Sequence, residues 1–287
     1  MSSFSLSGAA ALTLQAALGL SVAGCVDIAA GEAQFIDTVE KRFSVSGAPT
    51  LTVGTFDGSV EVSTWDRPEV LVTIERRAMS REDADRMLIT AQQSGDDIQV
   101  QVKASHPGGF HINFGSFNAR VVVNVPTKAR IEASTGDGRV SVRDVEGDLV
   151  ARTGDGSIRL EHVNGAIEAS SGDGSITVDG QIRQLKARSG DGRVHVHAVG
   201  TAPTGDWSLS TGDGSVVLEV PDGFGAELDA TTGDGHVDVR DVQFDRTSSG
   251  ERSRSVRGRI GNGGSKITIR SGDGSIVVRR AGPTTES

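Results

Sequence analysis

The residues best placed to do chemistry recur as one triplet, Gly-Asp-Gly. It appears as Gly136-Asp137-Gly138, Gly154-Asp155-Gly156, Gly172-Asp173-Gly174, Gly190-Asp191-Gly192, Gly212-Asp213-Gly214, Gly233-Asp234-Gly235 and Gly272-Asp273-Gly274. A column of carboxylates one strand spacing apart could bridge calcium, whose ligands are oxygens at about 2.3–2.6 Å. The pattern departs from the calcium-binding nonapeptide repeat, because Gly directly follows Asp and the apolar residue comes three positions later. Two carboxylates and a few carbonyls also fall short of six to eight ligands, so the triplet reads first as a structural corner, with Asp137, Asp155, Asp173 and Asp191 as remote metal candidates. Equivalence by repetition argues against catalysis, which usually needs two carboxylates in different environments.

Two further sets could carry chemistry. His195 and His197 flank Val196, and on a strand they share an outer face, where a His-x-His pair can hold a transition metal. The neighbouring repeats place Thr177 and Val217 beside His195, and Asp179 and Glu219 beside His197, so solvated surface imidazoles are the plainer reading. No nucleophile set emerges: Gly-x-Ser-x-Gly is absent, and Gly261-Asn262-Gly263-Gly264-Ser265-Lys266 lacks the ending of a phosphate loop. No catalytic residue, metal or cofactor is assigned.

The elements that must position these residues follow from the spacing. Successive aspartates lie 18, 18, 18, 22, 21 and 39 residues apart, and Phe56-Asp57-Gly58 is an outlying copy. A fixed period near 20 marks stacked units that cannot bury an apolar face alone. Three residues after each aspartate stand Val140, Ile158, Ile176, Val194, Val216, Val237 and Ile276. Five after stand Val142, Leu160, Val178, Val196, Leu218, Val239 and Val278. Residues two apart share a strand face, so these are two inward columns. Leu149 and Ala151, Ile167 and Ala169, Leu185 and Ala187, Trp207 and Leu209, Leu228 and Ala230, and Ile267 and Ile269 form a second strand per repeat. Gly147, Gly165, Gly180, Gly200 and Gly223 mark a looser second turn where positive φ is expected. Thr135, Thr153, Ser171, Ser189, Thr211, Thr232 and Ser271 precede each triplet as inward hydroxyls able to satisfy turn backbone. The fold expected is all-β: a single-chain β-solenoid, β-helix-like, with two short strands per coil of about 18 to 22 residues.

Upstream, alternating runs at 51–65, 69–77, 97–104 and 119–125 read as strands, interrupted by one helix over 80–90 with Ser80 as N-cap and about three turns. Residues 106–118, rich in Gly and Phe, read as a loop, and 245–266 as a basic, Ser/Gly-rich insertion where one turn is missing. The organisation expected is a signal peptide over 1–24, a tether over 25–36, N-terminal coils over 37–130, continuous repeats over 131–281 and a tail over 282–287.

Residues 1–24 are apolar and uncharged, and the only cysteine, Cys25, follows in Ser21-Val22-Ala23-Gly24-Cys25. This resembles the bacterial lipobox, which implies lipidation at Cys25 and export. The usual positive charge ahead of the apolar run is missing, the first being Lys41, and a free thiol in a leader is the alternative. Val26 follows where an inner-membrane retention signal has aspartate, so the outer membrane is preferred where the host has one. A net charge of −9 supplies no dominant basic face, which excludes generic nucleic-acid binding. No tyrosine and 4% aromatics argue against a large enzyme core.

With the early strands, the capped helix, the 123–140 entry and the coils in view, residues 37–281 resemble the bacterial adhesin-like β-strand-repeat family catalogued as domain of unknown function 4097. The resemblance implies an exported or membrane-tethered β-solenoid without established catalytic residues. It suggests an adhesin-like or scaffold protein with a protein or surface-glycan partner. A partner module of envelope-stress signalling is the alternative, and a carbohydrate-active enzyme the distant one.

Overall fold

The computed structural model describes residues 35–105, 117–200, 202–247 and 254–282. Cys25, the leader and most of the Gly/Phe-rich segment lie outside the described residues, as does the expected tail beyond Gly282.

Among the described residues, twenty-one strands and one short helix follow in chain order. The first part comprises β1 (Phe35–Ser44), β2 (Thr50–Thr55), β3 (Gly58–Trp65), β4 (Glu69–Ala78), α1 (Arg81–Asp85), β5 (Met87–Ser94), β6 (Asp97–Ala104) and β7 (Asn118–Pro126). Then come β8 (Arg130–Thr135), β9 (Val140–Arg143), β10 (Leu149–Thr153), β11 (Ile158–Ser170), β12 (Ile176–Arg188), β13 (Val194–Ala198), β14 (Trp207–Thr211) and β15 (Val216–Val220). The last are β16 (Ala226–Thr232), β17 (Val237–Arg240), β18 (Phe244–Arg246), β19 (Ser255–Ile260), β20 (Lys266–Ser271) and β21 (Ile276–Arg280).

The repeat period appears directly as strand register. Leu149 pairs in parallel with Ile131 on one side and Ile167 on the other, and Ile158 with Val140 and Ile176, each 18 residues away. Each coil thus gives one strand to each of two faces. One face runs β5-β6-β2-β8-β10-β11-β12-β14-β20-β16-β19-β18. The other runs β1-β4-β7-β3-β9-β11-β12-β13-β15-β21-β17. β11 and β12 belong to both, because each is 13 residues long and bends from one face to the other through register shifts after Leu160 and Gly165. The faces are therefore halves of one sheet.

The core is what the alternation requires. Val140, Ile158, Ile176, Val194, Val216 and Ile276 from one face, and Ile131, Leu149, Leu185 and Leu209 from the other, are all buried between them. Burying each such side chain stabilises by about 1.5–3 kcal/mol. Trp207 closes a gap near the far end by packing on Phe224, ring centroids 5.8 Å apart.

Three expectations change. Ser80 caps α1, its hydroxyl accepting from the Asp83 backbone N–H at 3.2 Å, but the helix is only five residues long. Met87 and Leu88 instead open β5, whose full antiparallel register with β6 supplies backbone bonds that override helix propensity. The 245–266 insertion is not all loop: β18 runs into its start and β19 lies within it, and the two pair antiparallel with each other and, through β19, with β16. The first strand also begins at Phe35, inside the expected tether.

The largest change is the order of the coils. β20 and β21 sit between β14/β15 and β16/β17, so the last coil in sequence occupies the last slot but one in space. The beginning mirrors this. β2 and β3, first in sequence to form a coil, lie between β6/β7 and β8/β9.

Candidate functional site

The Gly-Asp-Gly corners stack directly, in the spatial order 56–58, 136–138, 154–156, 172–174, 190–192, 212–214, 272–274, 233–235. The Gly154 N–H donates to the Gly136 carbonyl one coil away, and Gly172, Gly190 and Gly212 repeat the contact. Gly272 to Gly212 and Gly233 to Gly272 do so at 2.6 Å. A Cβ on Gly156 would stand 1.7 Å from the Gly138 carbonyl oxygen, and one on Gly174 equally close to that of Gly156. The triplet glycines are therefore required by the chain stacked against them. None of the seven full triplets has a glycine with positive φ, whereas at the second turn Gly147, Gly180, Gly200 and Gly223 do and Gly165 does not.

The preceding hydroxyls complete each corner. Thr153 donates to the carbonyls of Gly136 and Gly138 at 3.1 and 3.0 Å, and Thr211 to those of Gly190 and Gly192 at 3.2 and 2.8 Å. On their own coil Ser171, Ser189, Thr232 and Ser271 accept the N–H of Gly174, Gly192, Gly235 and Gly274 at 3.0–3.2 Å. A turn N–H bonded to the aspartate itself occurs at Asp57, at 2.6 Å from Gly58. In these four later corners the hydroxyl takes that role, so Asp173, Asp191, Asp234 and Asp273 are exposed, as are Asp137, Asp155 and Asp213. No three His, Cys, Asp or Glu side chains among the described residues are grouped to hold a metal ion, and the column is a solvated edge.

His195 and His197 lie on β13 with the neighbours the repeat alignment predicts: Thr177 and Asp179 on β12, Val217 and Glu219 on β15. They line an open groove of about 640 Å³ with Asp241, Arg279 and Arg280. His197 Nδ1 is hydrogen-bonded to Asp179, and His195 Nε2 faces Glu219 at 3.4 Å. Arg279 Nε, from the coil slotted in beyond β15, donates to Glu219 at 2.9 Å. Burial pushes the Glu219 carboxyl up, but the Arg279 hydrogen bond and the charges of His195 and Arg279 outweigh it and leave its pKa below the ordinary value. His197 Nδ1 is committed to Asp179 of the adjacent coil, whereas His195 Nε2 lies beside Glu219, shut off from solvent and without a hydrogen bond.

Elsewhere the same face is tied by cross-coil ion pairs. Arg120 holds Glu61 with two bonds of 2.9 and 2.8 Å, lowering the Glu61 pKa chiefly through that hydrogen bonding. Arg143 meets Glu161 at 3.4 Å, and on the opposite face Arg270 meets Asp229 at 3.0 Å and lowers its pKa. The 261–266 segment is the turn between β19 and β20, with the Lys266 N–H donating to Asp206 at 2.9 Å, and it leads into a strand. A second depression, around Ser141, was missed by sequence reasoning. Alignment on the aspartate places Ser141 beside Glu61 and Arg159, but nothing in the pattern shows that an outward serine is covered.

Stacked parallel coils with repeated Gly-Asp-Gly corners define an all-β repeat protein of solenoid-like build. The particular family follows from comparison: the Toastrack DUF4097 model matches residues 50–180 and again 164–279, and the chain belongs to that family. No curated protein matches this sequence. Among solved structures it is similar to a candidate cell adhesion protein from Clostridium sporogenes ATCC 15579, at 13% identity and TM-score 0.34 over 86% of this chain and 100% of that one. It is also similar to a candidate adhesin from Bacteroides fragilis NCTC 9343, at 9% identity and TM-score 0.32 over 84% and 97%. A candidate lipid binding protein from Parabacteroides distasonis ATCC 8503 matches at 12% identity and TM-score 0.42 over 84% and 96%. No helix among the described residues is long and apolar enough to cross a membrane.

Proposed function

We propose that this protein is a non-enzymatic cell-envelope scaffold of adhesin-like type, lipid-anchored through Cys25, whose outer sheet faces are its binding surface. One observation supports the reading: the face running from β7 to β17 is a largely polar surface, broken by outward Val122, Val217 and Val277, and stiffened between coils. Arg120–Glu61, Arg143–Glu161, His197–Asp179 and Arg279–Glu219 each join neighbouring strands of that face. Exposed pairs of this kind contribute little stability one by one, about 0–1 kcal/mol, but they fix side-chain positions over a long span, as a recognition surface needs.

Membrane fractionation with labelled palmitate tests the anchor. The wild-type chain takes up label and stays with membranes through an alkaline wash, whereas Cys25→Ala does neither. Retention of the unlabelled variant refutes lipid anchoring. Protease treatment of intact cells tests the adhesin-like role, since degradation before the envelope is opened is expected. Protection until lysis moves the protein to the alternative, a partner module of envelope signalling.

A further inference from the structure

The depression around Ser141 combines features that a solvated surface does not need. Ser141 on β9 lies between Glu61 on β3 and Arg159 on β11, with Arg143 and Glu161 in the next row and Arg139 at the entry to β9. A serine among long side chains leaves a notch, here about 360 Å³, near the lower bound of small-ligand sites. Ser141 is nonetheless only 5% exposed, and it lines the notch with no side-chain hydrogen bond to the described residues. A hydroxyl so covered keeps only a narrow opening to solvent, through which a ligand atom could take the place of water.

The charges point to the kind of ligand. Both oxygens of Glu61 are occupied by Arg120 from outside the notch. Glu161 is shared by Arg143 at 3.4 Å and Arg159 at 3.0 Å, and Arg139 Nε reaches only the Ser157 hydroxyl, at 3.3 Å. Each guanidinium carries five N–H donors in a fork that matches a tetrahedral oxyanion, and these contacts occupy few of them. A chain with a net charge of −9 has thus gathered three arginines around one covered hydroxyl.

We propose that the notch over Ser141 binds a phosphate-like oxyanion, with Arg139, Arg143 and Arg159 supplying donors and charge and Ser141 the contact at the floor. The anion comes either as free phosphate or as a phosphate ester of a lipid headgroup. The proposal rests on the reading of the outer face as a binding surface and gives that surface a ligand chemistry.

Isothermal titration of inorganic phosphate into the detergent-solubilised full chain at low ionic strength tests it. Saturable one-site binding is expected, at least fivefold weaker in Arg139→Gln and in Arg159→Gln. It is lost in Ser141→Val, which fills the floor without changing charge, and tightened in Glu161→Gln, which removes a competing carboxylate. Glycerol phosphate separates the sources, tighter binding assigning the site to an ester and equal or weaker binding to the free anion. Flat titrations, or binding that ignores all four substitutions, overturn the site. The two arginine variants keep the test decisive should Ser141→Val fail to fold. Because membrane attachment through Cys25 is read separately by fractionation, failure here is distinguishable from failure of the anchoring reading.

Discussion

At the scale of single residues, glycine has two uses in this protein, and substitution separates them. In Gly156→Ala the new methyl meets the Gly138 carbonyl oxygen at 1.7 Å and the coils must part, so a loss of about 3 kcal/mol or more is expected. Gly223 has φ of 78°, and a methyl there would meet nothing within 4 Å, so Gly223→Ala costs only left-handed strain, about 1–2 kcal/mol. Urea unfolding of the two variants reads the difference, and equal midpoints refute the close approach. Charge at single sites sets the acid limit. Glu61, Glu219 and Asp229 have folded pKa values below their ordinary ones of 4.5, 4.5 and 3.8. Their contribution is therefore present above those ordinary values and is lost as pH falls through the depressed folded ones. Stability should decline on acidification below about pH 4.5, and less steeply in a Glu61→Gln, Asp229→Asn double variant, as thermal melts across pH 3–6 would show.

At the scale of elements, the inward columns were legible because burial forces period two within a strand and the coil repeats it every 18 residues. Val178 is fully buried and Thr177, its neighbour, faces outward. Val178→Asp places an unpaired charge in the core and should cost about 4 kcal/mol or more, against about 0.5 for Thr177→Asp. Melting both variants checks the register, and similar losses sink it. The exposed aspartates form the other column. Carboxylates stacked one coil apart in water repel by only about 1 kcal/mol per pair, so Asp155→Asn should be nearly neutral and calcium should leave the melting temperature unchanged. A rise of many degrees with millimolar calcium, absent in Asp155→Asn, contradicts this. Less legible was anything decided by a partner strand. Ser80 announces a helix, yet Met87–Ser94 carries no local mark of its pairing with β6. The hydroxyl before each triplet was found by alignment, but its seizure of the turn N–H from the aspartate depends on corner geometry that a sequence does not display.

At the scale of the whole molecule, the order of coils was not legible at all, because every coil offers the same edges to its neighbours and the pattern fits any order equally well. The 39-residue gap was visible; that the chain crosses an empty slot, turns back through β18 and β19 and fills the slot with β20 and β21 was not. In a solenoid stacked in sequence, removing the last coil trims one end and leaves the rest. Here, deletion of residues 262–287 takes a coil from the interior and strips β14, β15, β16 and β17 of a partner on one side. Because β14 and β15 keep β12 and β13, limited proteolysis should then digest everything beyond about residue 220, and a truncated chain resistant through Arg240 would refute the slot.

The same interleaving governs the order of events as the polypeptide leaves the ribosome or a translocation pore. Leu51 waits for Ile98 and Ile131, contacts 47 and 80 residues further along, and β16 waits for β20. Neither end can zip up one rung at a time. Early strands must stay loose until later ones emerge, so folding is slow and its commitment late, as contacts of long sequence separation require. Strands that stay pliant until their later partners have emerged are ones that a narrow channel can still thread.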